Sequence, residues 1–290
     1  MFWSKTILNW FNQHGRHHLP WRNTRDPYAI CVSEYMLQQT QVERVIPKYE
    51  AWLATFPTWE ILAQAKTADV LRLWSGLGYN SRALRLQKLA QVVVDHYQGK
   101  LPDNAAELVK LPGIGPYTAA ALSSFAFEKE IVVIDTNIER IVLRYFWAEP
   151  EAKRARVTTL LEEVIIEASK KKVVFSRFFF QGLMDFGSAI CKAKPLCTIC
   201  PLRESCQAFA KQQFLVKRPK QSHFPHSRRF YRGQLIKTLH SKQKLTLAEL
   251  AKDYDIQKYS WPEIVQGLEK DGLIAVHEEG EPYVTLPGEV

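Results

Sequence analysis

The chain has 290 residues, 46% of them apolar and 24% charged, values close to a globular average that exclude a disordered, collagen-like or disulfide-scaffold protein. Its formal charge of +9 points to a polyanionic partner. No apolar run approaches the roughly 20 residues of a membrane span, and the N-terminus carries no signal-peptide core with a small-residue cleavage site. A cytoplasmic protein without a membrane partner is therefore expected.

Apolar residues at i, i+3, i+4 spacing predict helices over Ser4–Gln13, Pro27–Thr40, Gln41–Phe56, Thr58–Ala63, Thr67–Trp74 and Ser81–His96. After the breaker Leu101-Pro102-Asp103 the pattern resumes over Asn104–Lys110, Pro116–Phe125, Thr136–Tyr145, Val157–Ser169 and Arg177–Ser188. Cys31 falls in an apolar helical stretch and reads as a core residue. Ile131–Ile134 is strand-like but too short to seed a sheet, so this portion is an α-domain. Two glycine turns join helices: Gly76-Leu77-Gly78-Tyr79, and Leu111-Pro112-Gly113-Ile114-Gly115-Pro116-Tyr117. Neither follows a strand, so neither is a dinucleotide fingerprint. In the second, glycines followed by Pro at the first helical position leave backbone N–H groups pointing outward at a positive helix end. That suits a phosphate held without reading a base.

Four of the five cysteines fall within one short stretch, Cys191-x5-Cys197-x2-Cys200-x5-Cys206. In a cytoplasmic chain a packed thiol cluster means metal. Zinc sites usually set two Cys-x2-Cys pairs across a longer gap; a single pair flanked by single cysteines favours a [4Fe–4S] cluster over zinc or incidental thiols.

Charge then divides the chain. Residues 1–232 hold 33 basic and 20 acidic residues, whereas residues 233–290 hold 6 basic and 10 acidic. The reversal marks a boundary, preceded by a basic, proline-broken linker over Lys217–Arg229. Beyond it, helices are expected over Gly233–His240, Thr246–Asp253 and Trp261–Lys270, with strands over Leu273–Val276 and Tyr283–Leu286. Three helices and a hairpin suggest a winged-helix-like α+β module. Its candidate recognition helix is acidic (Glu263, Glu269 and Asp271 against Lys270), which favours a protein-contacting or structural role over a DNA-contacting wing. The Lys170-Lys171-Lys172 run reads as a solvated helix end.

The segments Glu34-Tyr35-Met36-Leu37-Gln38-Gln39-Thr40-Gln41-Val42, Gly76–Tyr79, Leu111–Gly115 and Ile134-Asp135-Thr136-Asn137, with the four cysteines, resemble the helix-hairpin-helix DNA glycosylase superfamily, endonuclease III-like in fold. Gly15-Arg16-x-x-Leu19-Pro20-Trp21-Arg22 and Arg25-Asp26-Pro27-Tyr28 add to it. Within the superfamily the match is to MutY-type adenine DNA glycosylases, from about Trp10 to Cys206. The resemblance implies a mainly α, two-lobed glycosylase with an iron–sulfur cluster. Residues 22–130 would form the helical barrel with the hairpin, 1–21 and 131–210 the cluster domain, 211–232 the linker and 233–290 the small module. It further implies a monomeric prokaryotic base-excision repair enzyme at the nucleoid, acting on double-stranded DNA with mismatched or oxidised base pairs.

Breaking an N-glycosidic bond to adenine requires base extrusion, a carboxylic acid to protonate the leaving purine, and a carboxylate facing the sugar cation. By resemblance Glu34 is the acid. Its apolar helix would keep it protonated. Asp135 at a helix start is then the charged partner of the sugar, with Tyr117 and Asn137 beside it. Taken alone, Asp135 reads as an N-cap and Glu34 as a partner for Arg44 or Arg82. Trp21, Arg22, Leu37 and Gln181 match the adenine pocket. Gln38, Gln39, Thr40, Leu77, Tyr79, Leu111, Pro112, Gly113 and Gly115 match DNA contacts, with Gln39 and Tyr79 inserted into the duplex. Tyr117 stands where bifunctional relatives carry a Schiff-base lysine, so a monofunctional enzyme is expected; thymine-excising relatives also have tyrosine there. Three departures stand out. The first cysteine loop has five residues instead of six, and Asn80 replaces a second tyrosine. The stretch after the linker is too short for the usual Nudix-like lesion-reading domain.

Overall fold

The computed structural model describes residues 2–149, 154–170, 175–214, 224–253, 256, 259–278 and 280–289. Its α-helices run in chain order as α1 (Phe2–His14), α2 (Pro27–Leu37), α3 (Val42–Thr55), α4 (Trp59–Gln64), α5 (Thr67–Trp74), α6 (Ser81–Tyr97), α7 (Ala105–Leu108), α8 (Pro116–Phe125), α9 (Thr136–Val142), α10 (Arg154–Ser169), α11 (Ser176–Ala189), α12 (Gln207–Ala210), α13 (Arg228–Ser241), α14 (Leu247–Asp253) and α15 (Trp261–Lys270). Three short strands, β1 (Lys244–Thr246), β2 (Ala275–His277) and β3 (Tyr283–Thr285), complete the list. The chain divides into two compact units. One comprises Met1–Ile30, Pro102–Lys110 and Ile114–Pro219; the other comprises Cys31–Leu101, Leu111–Gly113 and Lys220–Val290.

In the first unit, Trp3, Ile7 and Phe11 recur every fourth residue of α1 and are buried, giving one apolar stripe. The stripe packs on α11, where Gly182 permits the approach: a Cβ there would lie 3.0 Å from that of Phe11. Trp3 meets Phe179 edge-on at 5.2 Å and Trp10 meets Phe186 at 5.1 Å. Helix α8 is buried from Thr118 to Phe125, as its all-round apolar composition requires.

In the second unit, Trp52 of α3 and Trp74 of α5 meet edge-on at 5.5 Å. Gln87 of α6 is buried and donates to the Ala65 carbonyl at 2.7 Å, which closes the end of α4. Further along, α13, α14 and α15 enclose Leu235, Leu239, Leu250, Ile264 and Leu268, all buried. A three-stranded antiparallel sheet in the order β1-β3-β2 closes that core, pairing Leu245 and Val276 with Val284.

Several expected boundaries move, each for a physical reason. Helix α2 ends at Leu37 rather than Thr40, because the buried Arg82 guanidinium takes the carbonyls of Tyr35, Met36 and Gln38 at 2.7, 3.1 and 2.6 Å. Gln39 then turns left-handed with φ +55°. Helix α9 ends at Val142; Leu143–Trp147 widens into a π turn that closes on Ala148 at φ +56°. Only Ala105–Leu108 of the Asn104–Lys110 prediction is helical, with the Asn104 side chain capping Ala106 N–H. Helix α13 begins at Arg228, capped by Ser227, inside the stretch read as linker. The expected hairpin is a three-stranded sheet, since Lys244–Thr246 pairs with β3. Ile131–Ile134 belongs to no helix or strand, in keeping with its being too short to seed a sheet. Residues 215–223 of the linker, and Lys171 and Lys172, lie outside the described residues.

Candidate nucleic-acid site and metal centre

Asp135 is the N-cap of α9. Its Oδ1 accepts from the Asn137 and Ile138 N–H groups at 2.8 and 2.7 Å, and its Oδ2 accepts from Asn137 Nδ2 at 2.8 Å. Capping and presentation are one geometry here: the bonds that start the helix also fix the carboxylate at its positive end. Asn137 is fixed in turn, because the buried Arg140 donates from Nη2 to Asn137 Oδ1 at 2.9 Å. Arg140 also reaches the Gly187 carbonyl at 2.8 Å and, through Nε, the Cys191 carbonyl at 2.8 Å. Tyr117, half-buried in the first turn of α8, lines a cleft of about 490 Å³ with Ile131, Ile134 and Arg154.

Trp21, Arg22 and Gln181 come together in the same unit. Trp21 and Gln181 are buried, and Arg22 Nη1 lies 3.4 Å from Gln181 Oε1. Arg22 is anchored by the buried Asp185 at 3.1 Å, which also binds Arg16 at 2.6 Å. The buried carboxylate is thus compensated, and the trio keeps a net positive charge.

In the second unit, Glu34 is buried, 8% exposed, on the C-terminal half of α2. Beside it Cys31 is fully buried, and burial followed by the nearness of Glu34 pushes its thiol pKa well up. Leu37 and Gln38 are half-buried and Gln39 exposed. Arg82 joins this segment to the Leu77–Tyr79 turn. It donates to the Leu77 and Gly78 carbonyls at 3.1 and 2.9 Å and to Thr40 Oγ1 at 3.1 Å, while its guanidinium lies 5.6 Å from the Tyr79 ring. Burial lowers its pKa to about 10, so it stays charged at neutral pH. Tyr79 is 44% exposed at φ +48°. At the other turn, Gly113 has φ +75° and a Cβ there would sit 2.6 Å from Tyr35 Oη. The Tyr35 hydroxyl donates to the Pro112 carbonyl at 2.8 Å. Leu111 is buried, and Gly115, exposed, precedes Pro116 at the start of α8.

The four cysteines Cys191, Cys197, Cys200 and Cys206 line one cavity, walled also by Arg144, Leu196, Phe209 and Phe214. Burial is the first cause raising the thiol pKa values of Cys197, Cys200 and Cys206, with Cys200 pushed up to about 11. Such thiols become thiolates when a metal takes the proton's place. Among the described residues, no three or more His, Cys, Asp or Glu side chains are arranged to hold a single metal ion. The buried Arg144 donates to the carbonyls of Lys192, Ala193 and Phe214 at 2.7, 3.0 and 2.6 Å and lies 3.6 Å from Cys191 Sγ. Sequence reasoning missed Arg140, Arg144 and Asp185, and offered Arg82 only as a partner for Glu34, whereas its guanidinium binds backbone carbonyls. Each binds groups far along the chain, and only a charged residue in an otherwise apolar helical stretch, as at Arg140 and Arg144, hinted at them.

Residues 32–167 match the family of HhH-GPD superfamily base excision DNA repair proteins. An adenine DNA glycosylase of Mycobacterium tuberculosis (strain CDC 1551 / Oshkosh) is 33% identical over 287 residues, covering 98% of this chain and 93% of its own length. The chain belongs to the HhH-GPD superfamily. An adenine DNA glycosylase of Buchnera aphidicola (strain Bp) is 40% identical over 206 residues, 71% of this chain, and the chain spans only 58% of that relative's length. Among solved structures, a thermostable thymine-DNA glycosylase superposes with a TM-score of 0.66 at 32% identity, over 72% of this chain and 96% of its own. The fold is thus a mainly helical HhH-GPD fold with a three-stranded sheet appended. The Mycobacterium match extends across that appended part, whereas the Buchnera match covers a share of the chain close to the glycosylase portion alone. Among the described residues no helix is long and apolar enough to cross a membrane.

Proposed function

We propose that this chain is a monofunctional adenine DNA glycosylase that removes adenine mispaired with guanine or 8-oxoguanine. The observation that carries the reading is the Asp135–Asn137–Arg140 chain of hydrogen bonds, which holds a carboxylate in fixed orientation at a helix start. Such an arrangement suits stabilisation of an oxocarbenium-like sugar. The relatives named adenine DNA glycosylases support the choice of base.

In this reading the duplex is opened at the target pair by Gln39 and Tyr79, on turns that Arg82 braces, and the Leu111–Gly115 hairpin holds a backbone phosphate. The extruded adenine is received by Trp21, Arg22, Leu37 and Gln181. Glu34, taken out of water by its helix, donates a proton to the leaving purine. Asp135 faces the cation that develops at C1′, with Asn137 and Tyr117 beside it, and water completes the hydrolysis. Tyr117 offers no amine, so no Schiff base forms and the abasic strand stays intact.

The donor set suits a [4Fe–4S] cluster: four cysteines line one cavity, and the Arg144 guanidinium, 3.6 Å from Cys191 Sγ, would offset negative charge. Cys191, Cys197, Cys200 and Cys206 would hold it, and thiolate coordination would staple the 191–206 loop. Residues 1–21 and 131–210 then form the cluster domain, residues 22–130 the helical barrel, and residues 233–290 a winged-helix-like module after the linker. Duplexes carrying adenine, thymine or uracil opposite guanine and opposite 8-oxoguanine test the reading, with strands analysed before and after alkali. Adenine-specific release that appears only after alkali is expected. Thymine release instead would favour the activity named for the thymine-DNA glycosylase neighbour.

A further inference from the structure

Beside the hairpin turn the second unit carries a cation for which the excision reading has no use. Gly113 sits at φ +75°, where a Cβ would lie 2.6 Å from Tyr35 Oη and 3.1 Å from Arg85 Cβ. The Leu111–Gly113 turn is thus clasped between a side chain of α2 and the root of one on α6. Tyr35 fastens the clasp: it is buried, and its hydroxyl donates to the Pro112 carbonyl at 2.8 Å. Burial pushes the phenol pKa well up, Cys31 adds to the rise and Arg85 opposes it, so the hydroxyl remains a donor at neutral pH.

Arg85 itself is exposed, and among the described residues it meets no carboxylate. Lys88, three residues on along the same face of α6, is exposed and meets none either. A solvated helix face would explain two cations but not their place. The root of Arg85 is pinned against a turn whose glycine-rich backbone suits a phosphate, and a guanidinium matches phosphate oxygens in bidentate fashion. An acidic protein partner would satisfy the charge but gives no reason for the placement beside this turn.

Resting on the DNA reading proposed above, we propose that Arg85 is a phosphate-binding residue that works with the Leu111–Gly113 turn on one DNA strand. Tyr35 is its positioning residue, holding the turn against the root of Arg85. The contact carries no base information. It adds affinity and fixes where the strand lies relative to α2, the helix that bears Glu34.

The full chain is titrated by fluorescence anisotropy against a duplex with a non-hydrolysable adenosine analogue opposite guanine, against a fully paired duplex, and against a set in which one phosphate at a time is a neutral methylphosphonate. Arg85→Gln keeps most of the stem beside Gly113 and removes the charge; Tyr35→Phe keeps the ring and removes the hydroxyl. Thermal melting checks the fold of both. Arg85→Gln should weaken binding to mismatched and paired duplexes alike by roughly three- to tenfold and reduce the slope of log affinity against log salt by about 1. Arg85→Lys, which keeps the charge, should restore most of that slope. One phosphate whose neutralisation weakens the unaltered chain should cost Arg85→Gln little more, and Tyr35→Phe should lose sensitivity at the same phosphate. Unchanged affinity and slope in Arg85→Gln, or losses that simply add at every phosphate, would overturn the contact; a Tyr35→Phe chain with the unaltered phosphate profile would overturn the positioning role. A parallel excision assay on ordinary adenine duplexes separates the two levels. An unaltered chain that releases no adenine overturns the excision reading, whereas normal excision with no coupled phosphate overturns the Arg85 contact alone.

Discussion

Arg140 donates to Asn137 Oδ1 at 2.9 Å, and the same guanidinium holds the carbonyl of Cys191, the first residue of the cysteine loop, at 2.8 Å. The side chain that fixes Asn137 against Asp135 therefore also fixes the start of the thiol cluster. Truncating it leaves buried carbonyls without a donor, each a loss of about 1–3 kcal/mol. Arg140→Ala should lower stability by about 3 kcal/mol and slow adenine excision together. Thermal melting and single-turnover rates check this, and unchanged excision in a destabilised variant would uncouple the two.

Gly187 lies under that bridge, and a Cβ there would come within 2.6 Å of Asn137 Cβ. The side chains it would meet, Asn137 and Arg140, are both held by hydrogen bonds, so neither moves aside freely. Gly187→Ala should cost about 1–3 kcal/mol of stability and reduce excision by moving Asn137 away from Asp135. A variant that melts and turns over like the parent would refute the close approach.

Glu34→Gln keeps shape and burial but cannot supply the proton. Excision should fall roughly 100- to 10,000-fold, the usual share of a general acid, while duplex affinity stays within about threefold. Near-parental turnover in a single-turnover assay would remove Glu34 from the acid role.

The cysteine loop should retain about four irons per chain and colour the protein brown; stoichiometric zinc without iron would overturn the assignment. Arg144→Gln breaks the bonds to Lys192, Ala193 and Phe214. Outer partners of metal ligands are commonly worth 10- to 100-fold in metal retention, so iron should be lost faster to a chelator, read from the visible absorbance.

His240 on α13 is half-buried, and its pKa lies below the usual 6.5, first through desolvation and then through Arg72 and Lys48, with Glu289 opposing. The unfolded chain therefore binds this proton at a higher pH than the folded one. Stability is intact above about pH 6.5 and declines as pH falls below it. His240→Gln should flatten that decline between pH 7 and pH 5 in denaturant titrations, and an unchanged pH profile would exclude His240 as its source.

Local chemistry made much of this protein legible in its sequence. The α1 stripe, the Pro116 helix start and Asp135 ahead of Thr136 each depend on residues within one or two turns, so their periodicity and capping could be read directly. The cysteine spacing likewise raised the expectation of a metal, and the four cysteines line one cavity. Tertiary structure alone decided what long-range bonds decide. Arg82 ended α2 at Leu37 by taking carbonyls from a segment more than forty residues away. β1 became a strand only because β3 lay beside it, three residues being too few to declare themselves. The net charge of residues 233–290 was a sum over all faces, and a sum carries no direction. The fold turned Arg229 and Lys237 of α13 toward a cleft beside the Tyr79 turn that, among the described residues, no carboxylate lines.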